Sequence, residues 1–247
     1  MQKIRLTKTQ KKKLNTILNR HATYERFSAS KIDAYNYTTT LGVRVCPYCN
    51  INFTYTVYEI ENKVGTAGAH KTPVCRPDID HFQLKSKNDE LSLAQRNLIP
   101  SCQQCNSRVK LRTQFNPLTH IHPFREDFDS IKRFTVELND PDLTKIESFR
   151  ISFSNRSAPA MAIKRADQSI KDLKLEARYQ YHREDVVDLL QKARYYHKRK
   201  VKELEDLAET AKLHRFLFSD LTTHINRVPL SKLKKDVLDL VHPMSTK

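Results

Sequence analysis

Two pairs of closely spaced cysteines constrain this chain more than any other feature of its sequence. Cys46 and Cys49 form one CxxC motif, and Cys102 and Cys105 form a second. Two residues between cysteines let both sulfur atoms face one ion, and two such motifs supply the four thiolates of a tetrahedral structural zinc site. A reduced dithiol or redox pair is the alternative interpretation. We expect a Zn²⁺ ion that has no open coordination position and is therefore purely architectural.

The remaining cysteine and the apolar runs indicate the compartment. The N-terminal residues contain no apolar run of signal-peptide length, and no later stretch approaches a membrane span. We therefore expect a cytoplasmic protein with no membrane partner, in which close cysteine pairs bind metal more often than they form disulfides. Cys75 has no partner at CxxC spacing and is expected to be a plain buried thiol. Cys75 and His70 are substitute zinc ligands only if one of the pairs is incomplete.

The charge of the chain indicates a polyanionic partner. Lysine and arginine total 44 against 28 acidic residues, which gives a formal charge of +16 at pH 7. Such an excess is typical of proteins that bind nucleic acid through its phosphates. The alternatives are a surface that docks an acidic protein or one that only aids solubility. Because the chain has only three glycines, a glycine-rich phosphate loop, and with it nucleotide hydrolysis, is not expected.

The hydrophobic pattern divides the chain into residues 1–42, 43–125, 126–156 and 157–247. The first segment is predicted to be basic and helical, and the second to be a core that contains both cysteine pairs. The third is predicted to be a strand pair packed on that core. The last is predicted to be helical, and we expect it to dock substrate or a partner. The predicted fold class is therefore α+β.

The N-terminal segment is predicted to contain two helices. Apolar residues recur at helical spacing among lysines, which indicates a basic amphipathic helix that either contacts phosphate or packs on the core; they are Leu6, Leu14, Ile17 and Leu18. A second helix is predicted to begin after Ser28 or Ser30 as N-cap and to end near Gly42.

Local patterns predict the later elements. Aromatic and β-branched runs indicate strands, and apolar residues three and four apart indicate helices. Strands are predicted at 53–60, 78–84, 135–138 and 149–153, a loop at 61–72, and helices at 103–111, 186–193, 201–207 and 230–240. A basic cluster with two tyrosines is either a nucleic-acid or partner surface or a solvated helix face; it comprises Arg194, Tyr195, Tyr196, Lys198, Arg199 and Lys200.

The residues between and after the cysteine pairs carry chemistry that suits phosphodiester hydrolysis. That reaction needs a base for water, a Lewis acid for the developing charge, and cations that hold the strand. His81 is the natural base, since imidazole titrates near neutral pH. Asp80 and Asn106 offer oxygen atoms to Mg²⁺ or Mn²⁺. Arg108 and Lys110 are expected to bind the substrate phosphates, or else to be ordinary helix-surface charges.

The order of these motifs, DH, N, CxxCN and K, resembles the HNH endonuclease family over residues 43–112. The resemblance implies a zinc-stapled ββα-metal core, a two-stranded hairpin and a helix that hold one divalent ion. It implies that Asp80 and Asn106 are the ligands of that ion and that His81 activates water. Asn97 matches the middle asparagine of the family, which ties the loop to the hairpin and orients the base. The last motif position, often histidine in the family, is Asn106 here, as in a known subgroup.

The wider pattern resembles one HNH group in particular, the nuclease component of Septu-type antiphage defence, including versions found beside retrons. That resemblance implies a partner ATPase of the ABC type and, for retron versions, a reverse transcriptase with its RNA–DNA product. DNA is the favoured substrate and RNA is possible, because metal-activated water needs no 2′-hydroxyl. Two alternatives stay open. One is a stand-alone structure-specific or restriction-type DNA endonuclease, and the other is a non-catalytic zinc module that binds nucleic acid.

Overall fold

The computed structural model describes residues 1–61, 70–140, 145–196, 200, 203 and 225–241. Helices and small antiparallel sheets are mixed along the chain, which confirms the α+β class. The helices are α1 (Lys8–Leu18), α2 (Tyr24–Ala29), α3 (Lys31–Leu41), α4 (Ala160–Asp172), α5 (Leu175–Tyr179), α6 (Arg183–Tyr195) and α7 (Ser231–Val241). The strands are β1 (Val57–Glu61), β2 (His70–Cys75), β3 (Asp78–His81), β4 (Leu98–Ser101), β5 (Lys132–Leu138) and β6 (Phe149–Asn155). Within the described residues, no helix is long and apolar enough to cross a membrane.

The two predicted N-terminal helices are present as α1 and α3, and α2 is a short additional helix that the sequence pattern did not predict. The α1 helix buries Leu14, Ile17 and Leu18, whereas Leu6, the fourth residue of the predicted apolar set, precedes the helix. The α3 helix begins after the N-cap Ser30, whose side chain accepts a hydrogen bond from the Asp33 backbone N–H. These helices share an apolar cluster with Ile79 of β3 and Leu98 of β4. The cluster fixes one face of the β3–β4 hairpin against the N-terminal segment.

The central hairpin pairs β3 with β4, so that Asp80 faces Ile99 and His81 faces Leu98. A π-helical segment, Gln104–Lys110, follows β4 and completes a strand, strand, helix unit. The predicted helix at 103–111 is therefore present, although it has the wider π form. The β4 strand was not predicted from the sequence. All four of its residues are buried, so apolar and polar residues do not alternate along it.

The two other sheets frame this unit. The predicted strand at 53–60 is only partly present, because β1 begins at Val57 and pairs with β2, while Phe53 forms a single bridge with Val45. The β2 strand occupies part of the predicted loop at 61–72, whose residues 62–69 lie outside the described residues. The predicted second strand pair is present as β5 and β6.

The C-terminal half packs into the core that holds the cysteines. Phe134 of β5 and Tyr179 of α5 have ring centroids 4.4 Å apart, and the Tyr179 hydroxyl donates to the Cys49 carbonyl at 2.6 Å. The α6 and α7 helices bury Leu189 and Val237 in the same cluster. Of the other predicted helices, 201–207 lies largely outside the described residues, as do Lys198 and Arg199 of the basic cluster.

A stability measurement tests the end of α3. Gly42 caps the helix with φ 64°, a left-handed conformation that L side chains rarely adopt. A Cβ added there meets nothing closer than 4.0 Å, so Gly42→Ala should lower the free energy of unfolding by about 1–2 kcal/mol through backbone strain alone. Gly42→Asn should lower the free energy of unfolding by less, because asparagine tolerates the left-handed conformation. Equal stability of wild type and Gly42→Ala in urea unfolding would contradict the assignment.

Candidate metal centre and active site

The four CxxC cysteines meet in the interior. Their sulfur atoms all lie within 4.8 Å of one another, and all four residues are buried. Cys46 and Cys49 lie in the loop after α3, whereas Cys102 directly follows β4 and Cys105 lies at the start of the π-helical segment. This arrangement matches the four-thiolate set of a structural zinc site, and the chain therefore has a possible metal site at the predicted residues.

Hydrogen-bond donors surround the sulfur cluster. The backbone N–H of Ile51 donates to Cys49 Sγ at 3.4 Å, and Asn52 Nδ2 donates to Cys102 Sγ at 3.4 Å. Arg178 of α5 donates to Cys105 Sγ at 3.3 Å. Burial opposes the charge of Arg178, but the neighbouring thiolates outweigh it and raise the pKa of the guanidinium. Four thiolates around Zn²⁺ would carry a net charge of two minus, and these donors would disperse it.

Cys75 stands apart from the cluster. It ends β2 and is exposed. The expectation of a buried thiol at Cys75 is therefore wrong, because the edge of the β1–β2 hairpin faces solvent. The complete set of four buried cysteines leaves no need for Cys75 or His70 as zinc ligands.

The β3 strand divides the remaining candidate residues between two faces of the hairpin. Side chains alternate along a strand, so Asp78 and Asp80 share one face and Ile79 and His81 share the other. The acidic face meets the π-helical segment, where Asp78 contacts Asn106. The opposite face meets the N-terminal helices. The sequence places the predicted base beside the predicted carboxylate, but their side chains project in opposite directions.

Asp80 is buried and fully engaged. Its Oδ1 accepts a hydrogen bond from Lys110 Nζ at 2.9 Å, and its Oδ2 accepts one from the Tyr48 hydroxyl at 2.6 Å. Lys110 Nζ also donates to the His81 carbonyl at 2.6 Å. Burial raises the pKa of Asp80, while Lys110 and Tyr48 act in the opposite direction. Both carboxylate oxygens thus already have partners where a divalent ion is expected.

The prediction that Lys110 binds substrate phosphate is wrong in this structure. Its side chain is 0% exposed and forms an ion pair with Asp80 in the interior. The reason is the π-helical segment, which turns Lys110 inward toward β3. Arg108, two residues earlier, is exposed on the same segment. Its role in phosphate binding stays a prediction.

Asn106 lies beside Asp78. Its Nδ2 donates to Asp78 Oδ2 at 3.1 Å, and the neighbouring Ser107 hydroxyl donates to the same oxygen at 3.3 Å. Asn106 and Asp78 are half-buried, unlike Asp80. The acidic residue in contact with Asn106 is therefore Asp78. The spacing of two along β3 is the sequence signal that could have identified it.

His81 is half-buried at the end of β3. Its Nε2 lies 2.9 Å from the Ser92 carbonyl oxygen, and a carbonyl only accepts, so Nε2 carries the proton in the neutral ring and Nδ1 is the free base. The Tyr24 ring packs against the imidazole with centroids 4.3 Å apart, and the Tyr24 hydroxyl donates to the Ile79 carbonyl at 2.8 Å. Burial lowers the pKa of His81, which keeps the ring neutral at pH 7.

Asn97 is buried and holds the connection between β3 and β4. Its Oδ1 accepts from the Gln83 N–H at 2.7 Å, and its Nδ2 donates to the Gln83 and Leu91 carbonyls at 3.0 and 3.2 Å. All of these partners are backbone groups of one loop. Asn97 therefore orders the loop whose Ser92 carbonyl lies against His81, and the hydrogen bonds of its side chain all go to backbone groups of that loop.

Two tyrosines complete the site without a sequence signal that marks them. Tyr48 lies inside the first CxxC motif, and Tyr24 lies in a helix far from the motif in sequence. Only the folded chain brings Tyr48 to Asp80 and Tyr24 to His81. Comparisons of the chain with protein-family models, with curated proteins and with solved structures found no match.

Metal analysis tests the cysteine cluster. The purified protein should contain about one tightly held zinc ion per chain, because a four-thiolate site binds one ion. Cys102→Ser should lose this zinc and most of its resistance to thermal unfolding, since three buried thiolates then lack their ion. Cys75→Ser, a change at an exposed cysteine, should retain both. A Cys102→Ser protein with normal zinc content and melting temperature would refute the four-cysteine site.

Proposed function

We propose that this protein is a metal-dependent HNH-type endonuclease that hydrolyses phosphodiester bonds, with DNA favoured over RNA. The observation that carries the proposal is the setting of His81. Its Nε2 is held by the Ser92 carbonyl at 2.9 Å, and Nδ1 is left as proton acceptor. A neutral histidine oriented through one nitrogen is the usual form of a general base.

The chemistry follows from that orientation. His81 Nδ1 takes a proton from water, and the oxygen of that water forms a bond to the phosphorus. The bond from phosphorus to the leaving sugar oxygen breaks, and that oxygen takes up a proton as the alcohol. The products are a phosphate monoester end and a hydroxyl end. Exposed cations such as Arg108 would balance the charge of the phosphate.

The zinc site serves this proposal through architecture alone. Cys102 directly follows β4, Cys105 lies at the start of the π-helical segment, and Cys46 and Cys49 lie in the loop after α3. An ion held by all four would fix the hairpin that ends in His81 against the segment that carries Asn106. Its closed thiolate shell leaves no position for water or phosphate.

Of the groups that the proposal requires, the catalytic divalent ion fits the residues in their present positions least well. The family resemblance assigns Mg²⁺ or Mn²⁺ to Asp80 and Asn106, where it would neutralise charge that develops on the phosphate. The Lys110 ammonium occupies Asp80 Oδ1, so a divalent ion on that oxygen requires Lys110 to leave. Asp78 is the carboxylate that Asn106 contacts without any rearrangement.

The motif resemblance extends the proposal to a biological role. We propose an effector of Septu-type antiphage defence that works in the cytoplasm with an ABC-type ATPase, and with a reverse transcriptase and its RNA–DNA product where a retron is present. A second candidate, a non-catalytic zinc module that binds nucleic acid, draws support from the Asp80–Lys110 ion pair, which leaves that carboxylate no open oxygen.

A cleavage assay tests the nuclease proposal. Wild-type protein with Mg²⁺ or Mn²⁺ should cut plasmid DNA or RNA, with the partner ATPase present where it is required. His81→Ala should cut at least about a hundredfold more slowly, the usual contribution of a general base. The control is His182→Ala, which changes a histidine that pairs with Asp185 outside the site. Equal activity of wild type and His81→Ala, or no activity in either, would refute the proposal.

A binding measurement tests the ion assigned to Asp80. Lys110→Met removes the competing ammonium, and a unit charge at this distance is worth several kcal/mol. Mn²⁺ should therefore bind Lys110→Met at least about tenfold more tightly than wild type. Arg108→Met removes an exposed cation from the same segment and should change the affinity by less than about twofold. Equal Mn²⁺ affinity of wild type and Lys110→Met, each with its full zinc content, would exclude Asp80 as a ligand.

A further inference from the structure

A groove of about 930 Å³ lies between the N-terminal arm and the loop that joins β3 to β4. Cations line it and no carboxylate does; they are Lys3, Arg5 and Lys11 from the N-terminal segment, Arg96 from the loop between β3 and β4, and Arg125 from the segment before β5. A strip of one sign of charge with low-dielectric walls concentrates polyanions. The groove therefore has the electrostatics of an anion-binding surface.

These cations are free. All five are exposed, and among the residues that the structure describes none of them forms an ion pair. Some exposed cations elsewhere have acidic partners, as Lys192 has in Asp188. Glu126, the nearest acidic neighbour of Arg125 in sequence, pairs with Arg165 at 2.5 Å. The positive charge of the groove is thus uncompensated in a chain that pairs many of its other charges.

The shape of the groove is built by the fold. The backbone N–H of Ile4 donates to the Pro123 carbonyl at 2.8 Å, which fixes the N-terminal arm as one wall. Asn97 orders the opposite wall through its bonds to Gln83 and Leu91. Half-buried apolar side chains, Leu6 and Phe124 among them, line the space between the cations. A flat base can pack on such a surface while its phosphates meet the cations.

The loop that lines the groove also contacts the proposed base. The wall of the groove includes Gln83, Leu91 and Asn97, and the same loop carries the Ser92 carbonyl that holds His81. His81 and the groove both lie on the side of the hairpin that faces the N-terminal helices. A strand bound along the groove would therefore pass the end of β3.

We propose that this groove binds the sugar-phosphate backbone of a nucleic-acid strand and leads it to His81. The delivery to His81 rests on the proposed nuclease function, whereas the binding does not. An acidic protein segment would satisfy the cations equally well but has no flat bases for the apolar lining. Nucleic acid uses both features, and DNA and RNA share the phosphodiester backbone that the cations recognise.

The salt dependence of binding tests this proposal on full-length protein that carries His81→Ala, so that no probe is cut. The probes are fluorescent oligothymidylate, oligouridylate and polyglutamate of equal charge. Each phosphate contact on a single strand contributes about 0.7 to the slope of log K against log salt. The triple variant Arg5→Gln, Arg96→Gln, Arg125→Gln should therefore lower the slope for either oligonucleotide by about 2, with an affinity loss of at least tenfold at moderate salt.

A charge-matched control separates the effect of the groove cations on binding from the effect of the protein's net charge. Lys31→Gln, Lys71→Gln, Lys171→Gln removes three exposed cations that do not line the groove, and its slope should change by less than about 0.7, one contact. Equal losses of oligonucleotide affinity in the two triple variants would overturn the proposal. It would also be overturned if polyglutamate bound as tightly as the oligonucleotides and lost affinity in parallel with them in the groove variant. Groove-dependent binding in a protein that never cuts nucleic acid would refute the nuclease function and leave the groove assignment intact.

Discussion

The convergence of four cysteine sulfurs is the contact on which the rest of this structure depends. It joins the loop after α3 to the end of β4, two points 53 residues apart in sequence between Cys49 and Cys102. Arg178 and Tyr179 extend the same centre to the C-terminal half through Cys105 Sγ and the Cys49 carbonyl. A Zn²⁺ ion bound by the four thiolates would offset their mutual repulsion and would fix the position of the β3–β4 hairpin.

Charge is distributed in two contrasting ways around the hairpin. In the interior, Lys110 and Tyr48 each donate a hydrogen bond to one oxygen of Asp80. These bonds compensate the charge of the buried carboxylate, but they leave neither oxygen open to a divalent ion. At the surface, the cations of the groove have no acidic partners among the described residues. The groove therefore offers unpaired cations to the polyanion that we propose, whereas the predicted ion site requires Lys110 to move.

Local signals in the sequence were sufficient for the four-cysteine cluster, the α1 and α3 helices and the β5–β6 pair. CxxC spacing, helical periodicity, the Ser30 cap and the Gly42 turn are all properties of neighbouring residues. The rest depends on contacts between distant segments. No local pattern reveals that Lys110 turns inward to Asp80, that Tyr24 packs on His81, or that the short buried β4 pairs with β3. The nuclease assignment itself still rests on motif order and on the setting of His81.

A crystal structure of the His81→Ala protein with a bound oligonucleotide, recorded with anomalous scattering from zinc and manganese, tests the central claim most directly. The account predicts a zinc peak among the four cysteine sulfurs, the strand in the groove along Arg5, Arg96 and Arg125, and a phosphate beside position 81. A manganese peak beside that phosphate would mark the catalytic ion. A zinc peak elsewhere, or an oligonucleotide bound on a different face with no phosphate near residue 81, would contradict it.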